Sequence, residues 1–332
     1  RDTIKTFTIG FAPDNSFALQ QFLIKKKKYN PNDLAKTGLV LTSGGKFLDR
    51  FHGRIVFPLH DHRGNLVGFS GRVMPGKEEM GGKYVNTPET AVYHKGSLLY
   101  GLNITKGDIK RQEKAVVVEG EFDLISSWQA GIKNVVAIKG SSLTEDQLKI
   151  LSHLSNVLVL ALDTDIAGDK ASRSAIIKGQ EMGVDLVVAR LGKFKDPDEA
   201  VRSDPKAYKK ALDNAIGVWD FVIDSIVSKS DTTGGVGKAK ISREIVPILA
   251  SIPDKIVQAH YVGVVANKLN VSTEAVAGAV DNFIEKEIGE SPKVTNLGDQ
   301  SQIKGQLLRR ELLERRFLAL AFQGEPDLLT SS

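Results

Sequence analysis

Short apolar runs alternate with amphipathic stretches through the middle of the chain. Ala115–Val118, Asn134–Ile138, Val157–Leu162 and Leu186–Leu191 read as four strands. The segments between them carry helix signals. One runs to Ala130 and meets a C-cap glycine at Gly131. One opens with Thr144 and Gln147 at capping-box spacing and continues to about Leu154. A third covers Asp169–Met182 and stops at Gly183. Strands alternating with helices of roughly 10–15 residues predict βαβ units, a parallel sheet and the α/β fold class.

On either side the pattern changes. Residues 1–110 are mixed α/β, with a helical stretch around Ser16–Lys28. Two alternating runs, Arg54–His60 and Leu66–Arg72, flank the turn formers Asp61-His62-Arg63-Gly64-Asn65 and predict a hairpin. Pro75 and the stretch Gly76–Gly82 read as a loop. After about Arg202 the spacing is helical, in Trp219–Val227, Ile241–Ile252 and Val257–Leu269, with Ser228–Gly237 as an interruption. A polar stretch from about Gly289 leads into a charged helix, Leu307–Phe322. The expected division is a subdomain over 1–110, a parallel-sheet subdomain over 111–202, a helical bundle over 203–288 and a tail over 289–332.

Charge adds to this picture. The chain has 332 residues and a net charge of +5. Residues 1–110 hold about 17 Lys and Arg against about 9 Asp and Glu, so the excess sits there. A basic first part beside a carboxylate-bearing second part suits a polyanion held near a metal site, and equally a charge excess that only keeps the chain soluble. Cysteine is absent, which excludes disulfides and thiolate zinc sites, so no zinc is expected. No run approaches the roughly 18 apolar residues of a membrane-spanning helix. Arg1–Lys5 lead directly into a folded pattern without a signal segment, and a start at Arg1 suggests a piece of a longer protein. A cytoplasmic location is expected.

The carboxylates follow the strands. Glu119 comes directly after Ala115–Val118, Asp163 and Asp165 directly after Val157–Leu162, and Asp196 and Asp198 a short loop after Leu186–Leu191. In an open α/β sheet, ligands bind outside the carboxyl ends of the strands. Asp123 lies one helical turn past Glu119. Clustered carboxylates repel unless cations join them, and hard oxygen donors suit Mg²⁺ or Mn²⁺. Two such ions would clamp the attacking and leaving oxygens of a phosphoryl transfer. A single Asp-x-Asp is more often a turn or cap, as Asp169 is expected to be at its helix start.

Glu119-Gly120-Glu121-Phe122-Asp123, Asp163-Thr164-Asp165-Ile166-Ala167-Gly168 and Asp196-Pro197-Asp198 resemble the acidic motifs of the Toprim domain. Four basic segments follow in the order of the bacterial, DnaG-type replicative primase core. They are Arg50-Phe51-His52-Gly53-Arg54-Ile55-Val56-Phe57-Pro58, Gly68-Phe69-Ser70-Gly71-Arg72, Lys83-Tyr84-Val85-Asn86-Thr87-Pro88-Glu89-Thr90 and His94-Lys95-Gly96. The resemblance implies a Toprim parallel sheet and a magnesium-dependent RNA polymerase that starts primers from ribonucleoside triphosphates on single-stranded DNA. Glu119, Asp163 and Asp165 would be the principal catalytic metal ligands, with Asp123, Asp196 and Asp198 assisting. Arg72, Lys83, Asn86 and Lys95 would line the groove for template, nucleotide or RNA primer; Arg50 and Arg54 could instead be structural ion-pair partners. Tyr84 would stack on a base or serve as a half-buried structural tyrosine.

The sequence departs from the family at three places. Glu121 stands where an aromatic is usual, Thr164 where glycine is usual, and Ile166 where a polar residue is common; such changes would bear on fine tuning such as metal preference, or Glu121 could simply point to solvent. The family's zinc ribbon and its domain for the replicative helicase are both expected to be missing. Competing readings are another Toprim enzyme (a nuclease or topoisomerase fragment), a non-catalytic nucleic-acid-binding module, and a phosphatase using Asp163 as nucleophile. Gly234-Gly235-Val236-Gly237-Lys238 looks like a phosphate loop but has Thr232 and Ala239 at the wrong places. Lys25–Lys28 read as a solvated helix end, and His52, His60, His62 and His94 lack zinc spacing.

Overall fold

The computed structural model describes residues 1–76, 82–140, 142–162 and 170–289. The chain clusters into two units, Arg1–Val280 and Asp281–Ser332. The second is described only to Gly289, so the expected helix Leu307–Phe322 lies outside the described residues, as do Asp163, Asp165 and Asp169.

The first unit opens with helix α1 (Asp2–Thr6) and strand β1 (Gly10–Ala12). The helix predicted over Ser16–Lys28 is shorter and irregular: only Ala18–Gln21 (α2) is α-helical, and Phe22–Lys26 winds as a π-helix. Two lysine ammonium groups, Lys26 and Lys27, lie 5.9 and 5.8 Å from the Phe22 ring, and Lys28 leaves the helix at φ +60°. Helix α3 (Pro31–Lys36) precedes the hairpin of β2 (Val40–Ser43) and β3 (Lys46–Asp49). Strands β4 (Arg54–His60), β5 (Leu66–Val73) and β6 (Tyr84–Asn86) join β1 in an antiparallel sheet of order β1-β4-β5-β6. The β4–β5 turn forms because Asp61 accepts the N–H groups of Arg63 and Asn65, while Gly64 takes φ +96°.

A second sheet carries β7 (Lys114–Val118), β8 (Val135–Ala137), β9 (Val157–Leu160), β10 (Asp185–Val188) and β11 (Ile216–Gly217) in the order β11-β10-β9-β7-β8. The first four are mutually parallel, as the alternating pattern predicted. Ala115–Val118 is buried on both faces, the reason it reads as an unbroken β-branched run. Tyr100 pairs with Ala137 on the outer edge of β8, reached from the first part of the chain just before α4 (Leu102–Gln112).

Helix α5 (Glu121–Gln129) follows β7 and ends at Gly131, φ +95°. Helix α6 (Glu145–Ser152) has the anticipated capping box: Thr144 accepts the Gln147 N–H at 3.1 Å and Gln147 accepts the Thr144 N–H at 3.0 Å. Helices α7 (Lys170–Glu181), α8 (Pro197–Ser203) and α9 (Pro205–Asp213) follow, with α8 packed on α5 and on α9, and α7 on α6. One core spans both sheets: Phe57 and Leu59 of β4 pack with Tyr100, Val116, Val118 and Leu124, and the Phe57 ring meets Phe122 edge-on at 5.6 Å. Each such side chain contributes roughly 1.5–3 kcal/mol on burial.

Helices α10 (Val218–Ser228), α11 (Gly235–Ala250), α12 (Lys255–Leu269) and α13 (Thr273–Gly289) follow. The phosphate-loop-like string has a structural explanation here. A Cβ on Gly237 would fall 1.8 Å from the Asp231 carbonyl oxygen, and Lys238 reaches the Asn270 carbonyl.

Candidate active site

The site begins where β7 ends. Glu119 is half-buried, and its carbonyl accepts the Lys139 N–H at 2.9 Å, which ties it to the turn after β8. Gly120 starts α5 and donates its N–H to the Asp123 carboxylate at 3.1 Å. The other Asp123 oxygen accepts the Asp198 N–H at 3.2 Å. Asp198 in turn accepts from the Ser126 hydroxyl at 2.5 Å and from the Arg202 guanidinium at 2.6 Å. Asp196 caps α8 by accepting the Glu199 N–H at 2.8 Å. The first turns of α5 and α8 are thereby joined through the two carboxylates the sequence pointed to.

Burial raises the Asp123 carboxyl to about 6, backbone hydrogen bonds from Asp198 and Gly120 oppose the rise, and the charges of Asp196 and Asp198 add to it. A cation beside it would offset that rise. The donors present are carboxylate oxygens, which fits magnesium or manganese. Among the described residues, no three His, Cys, Asp or Glu side chains gather closely enough to hold a metal ion. Asp163 and Asp165, expected to complete the set, lie outside the described residues, past the carboxyl end of β9.

Facing the first turn of α5 is a layer from the antiparallel sheet. The Arg72 guanidinium stacks on the Phe122 ring at 4.1 Å, lies 5.4 Å from the Tyr84 ring, and donates to the Tyr84 hydroxyl at 3.0 Å. Burial and then the Glu121 charge push the Tyr84 phenol up to about 12, so it remains neutral. Asn86 lies opposite Ser70 on β6, and its side-chain oxygen is buried without a hydrogen-bond donor among the described residues. Lys83 and Lys95 are exposed.

One of the readings changes, and two arginines are found to make contacts within the fold. Glu121 does not point to solvent; it is buried and ion-paired with Lys139. Arg50 donates to the Gly38 carbonyl at 2.7 Å, and Arg54 is buried and donates to the Gly82 carbonyl at 2.9 Å. These contacts of the two arginines are internal to the fold. Lys139 is absent from the residues that sequence reasoning singles out, although a lysine that ends the apolar run Val135–Ile138 at a strand's carboxyl end is a readable signal.

Comparison with known proteins matches residues 1–106 to a family described as the DNA primase catalytic core, N-terminal domain. Residues 116–201 match a Toprim-like family, and residues 220–274 match the DnaB-helicase binding domain of primase. The last match overturns the expectation that the helicase-binding domain is missing. The chain is 31% identical over 314 residues to a DNA primase of Clostridium acetobutylicum, covering 93% of this chain and 52% of the relative. It is 33% identical over 325 residues to one of Synechococcus elongatus, covering 92% of this chain and 46% of the relative. The chain thus spans about half the length of these curated relatives. Among solved structures, the Escherichia coli primase catalytic core aligns with a TM-score of 0.66 at 30% identity, covering 82% of this chain and 87% of that one. A DnaG primase catalytic domain bound to single-stranded DNA aligns with a TM-score of 0.67 at 29% identity, covering 82% and 86%.

Proposed function

The chain belongs to the family of DnaG-type primase catalytic cores, and on that premise we propose that it synthesises short RNA primers from ribonucleoside triphosphates on single-stranded DNA. The observation that carries this reading is the Arg72–Tyr84–Phe122 layer set against the acidic first turn of α5 at the carboxyl end of a parallel sheet. The combination suits a nucleotide whose phosphates meet a cation on one side and whose base or template meets aromatic and basic groups on the other.

Glu119 with Asp163 and Asp165 would hold magnesium or manganese, with Asp123, Asp196 and Asp198 in support. When bound, the metal supplies charge neutralisation for the triphosphate and acidifies a ribose 3′-hydroxyl. The chain's own residues orient and bind. Gly120, Ser126 and Arg202 fix the supporting carboxylates through the contacts above. Arg72, held planar on Phe122, presents its guanidinium edge to phosphate. Lys83 and Lys95, exposed, would bind template phosphates without reading sequence. Asn86 would line the groove beside them, with its side-chain oxygen turned into the fold.

In the proposed division, residues 1–110 bind template and nucleotide, 111–202 hold the metal, and 203–288 form the helical part. The match over residues 220–274 supports the replicative helicase as the partner of that last part. Among the described residues no helix is long and apolar enough to cross a membrane. A cytoplasmic location is part of this proposal, in keeping with the proposed template and substrates.

The test is primer synthesis on single-stranded DNA with labelled ribonucleoside triphosphates and Mg²⁺ or Mn²⁺, comparing the chain with Asp163→Ala. New RNA that disappears in the variant is the expected result. Degradation of the template instead would favour a nuclease.

A further inference from the structure

The ion pair between Glu121 and Lys139 has no part in the reading above. It is also the most enclosed charge pair described, with side-chain exposures of 2% and 4%. Glu121 sits between two proposed metal ligands, Glu119 and Asp123. Lys139 lies in the turn after β8, at φ +59°, a left-handed conformation that a lysine keeps only where its surroundings hold it. Its N–H donates to the Glu119 carbonyl. Its ammonium reaches across to β5, where it donates to the Ser70 hydroxyl at 2.9 Å, and Ser70 is itself fully buried. It also lies 5.8 Å from the Tyr84 ring. One residue therefore ties together the backbone of Glu119, the first turn of α5, and the strand that carries Arg72.

Stability alone does not call for charges here. The desolvation of two buried ions offsets much of their attraction, and well-packed apolar residues often serve as well or better. What the pair adds is direction. Two charge-assisted donors on one ammonium hold the Ser70 strand and the Glu121 helix turn in a single relative position, where an apolar contact would tolerate sliding. With so little exposure, neither side chain reaches a substrate.

We propose that Glu121 and Lys139 are positioning residues: their pair, anchored on Ser70, sets the spacing between the acidic segment Glu119–Asp123 and the Arg72–Tyr84 layer, and through that spacing the affinity for the incoming ribonucleoside triphosphate. This rests on the polymerase reading above.

The variants are Lys139→Met, the double variant Glu121→Leu with Lys139→Leu, and Ser70→Ala, which leaves both charges paired. Each is measured for thermal unfolding, for KM and kcat in primer synthesis, and for Mn²⁺-dependent binding of a fluorescent, non-hydrolysable ATP analogue. Lys139→Met should lower the unfolding temperature and weaken nucleotide use, because it strands a buried carboxylate. The double variant should recover most of the unfolding temperature yet keep a KM about tenfold above wild type, since small misplacements carry large kinetic penalties. Ser70→Ala should raise KM about threefold while lowering the unfolding temperature by only a few degrees, the cost of one hydrogen bond to a buried ammonium. Wild-type KM and analogue affinity in a folded double variant would overturn the proposal, because the pair would then be structural only. If the double variant does not fold, Ser70→Ala decides in the same way. If wild type makes no primers, the polymerase reading fails. The analogue-binding arm then decides this inference: weaker binding in Ser70→Ala supports it and unchanged binding overturns it.

Discussion

Replacing Asp123 by asparagine removes a carboxyl group whose ionisation the fold resists. The group titrates at about 6 in the folded chain against an ordinary 3.8, chiefly because it is buried and secondarily because Asp196 and Asp198 are nearby. Below about pH 4 the group is protonated in folded and unfolded chains alike and exacts no penalty. Between about pH 4 and 6 the folded chain retains a proton that the unfolded chain has released, so stability falls as pH rises. Above that window the full penalty of about two pH units, on the order of 3 kcal/mol, remains. The asparagine side chain would keep one acceptor oxygen but could satisfy only one of the Gly120 and Asp198 N–H groups, a loss of about 1 kcal/mol. In chelator, Asp123→Asn should therefore be more stable than wild type by about 2 kcal/mol at pH 7.5 and less stable by about 1 kcal/mol at pH 4. At about 2 °C per kcal/mol for a chain of this size, that is a melting temperature about 4 °C higher at pH 7.5 and about 2 °C lower at pH 4. Differential scanning calorimetry across that range reads the crossover. A variant destabilised by the same margin at both pH values would refute the reasoning.

Two further sites test the neighbouring elements. Arg72→Ala should cost about 2 kcal/mol in urea unfolding, from the lost stacking on Phe122 and the lost hydrogen bond to Tyr84. It should also reduce the salt slope of single-stranded DNA binding by about 1 if the guanidinium meets a phosphate. Arg72→Lys should retain most of that slope while losing the stacking. Gly237→Ala should lower stability by about 1–3 kcal/mol because its Cβ would collide with the Asp231 carbonyl, whereas Gly235→Ala meets nothing nearby and should be neutral or stabilising by a few tenths; calorimetry of the pair separates packing from helix propensity.

The parts of the fold that were legible in the sequence rest on local physics. Ala115–Val118 reads as a buried parallel strand because both of its faces are apolar, and the Thr144–Gln147 box and the Asp61–Asn65 turn are set by side chains bonding to nearby backbone. The place of Glu119 at the mouth of the sheet was legible because it directly follows a strand, whatever surrounds it. What was not legible depends on contacts far apart in the chain. Nothing near Glu121 announces that Lys139 will neutralise it, so an extra acid looks like a surface residue. Arg50 and Arg54 sit within a run of groove motifs, and nothing local announces that each also donates to a distant carbonyl, at Gly38 and Gly82. The helices over residues 220–274 were legible from their apolar spacing, but that spacing carries no sign of the family they match.

The pairing of Tyr100 with Ala137 bears on how the enzyme would accommodate a moving template. The backbone arriving from the first part of the chain is stitched to the rim of the second sheet by two amide hydrogen bonds, of 2.8 and 3.1 Å. The first part and the parallel sheet are thus continuous through backbone as well as through packed side chains. Sliding of the two sheets past each other would break these bonds as well as the shared core, so on the proposed polymerase reading a growing primer would move past a nearly fixed bench.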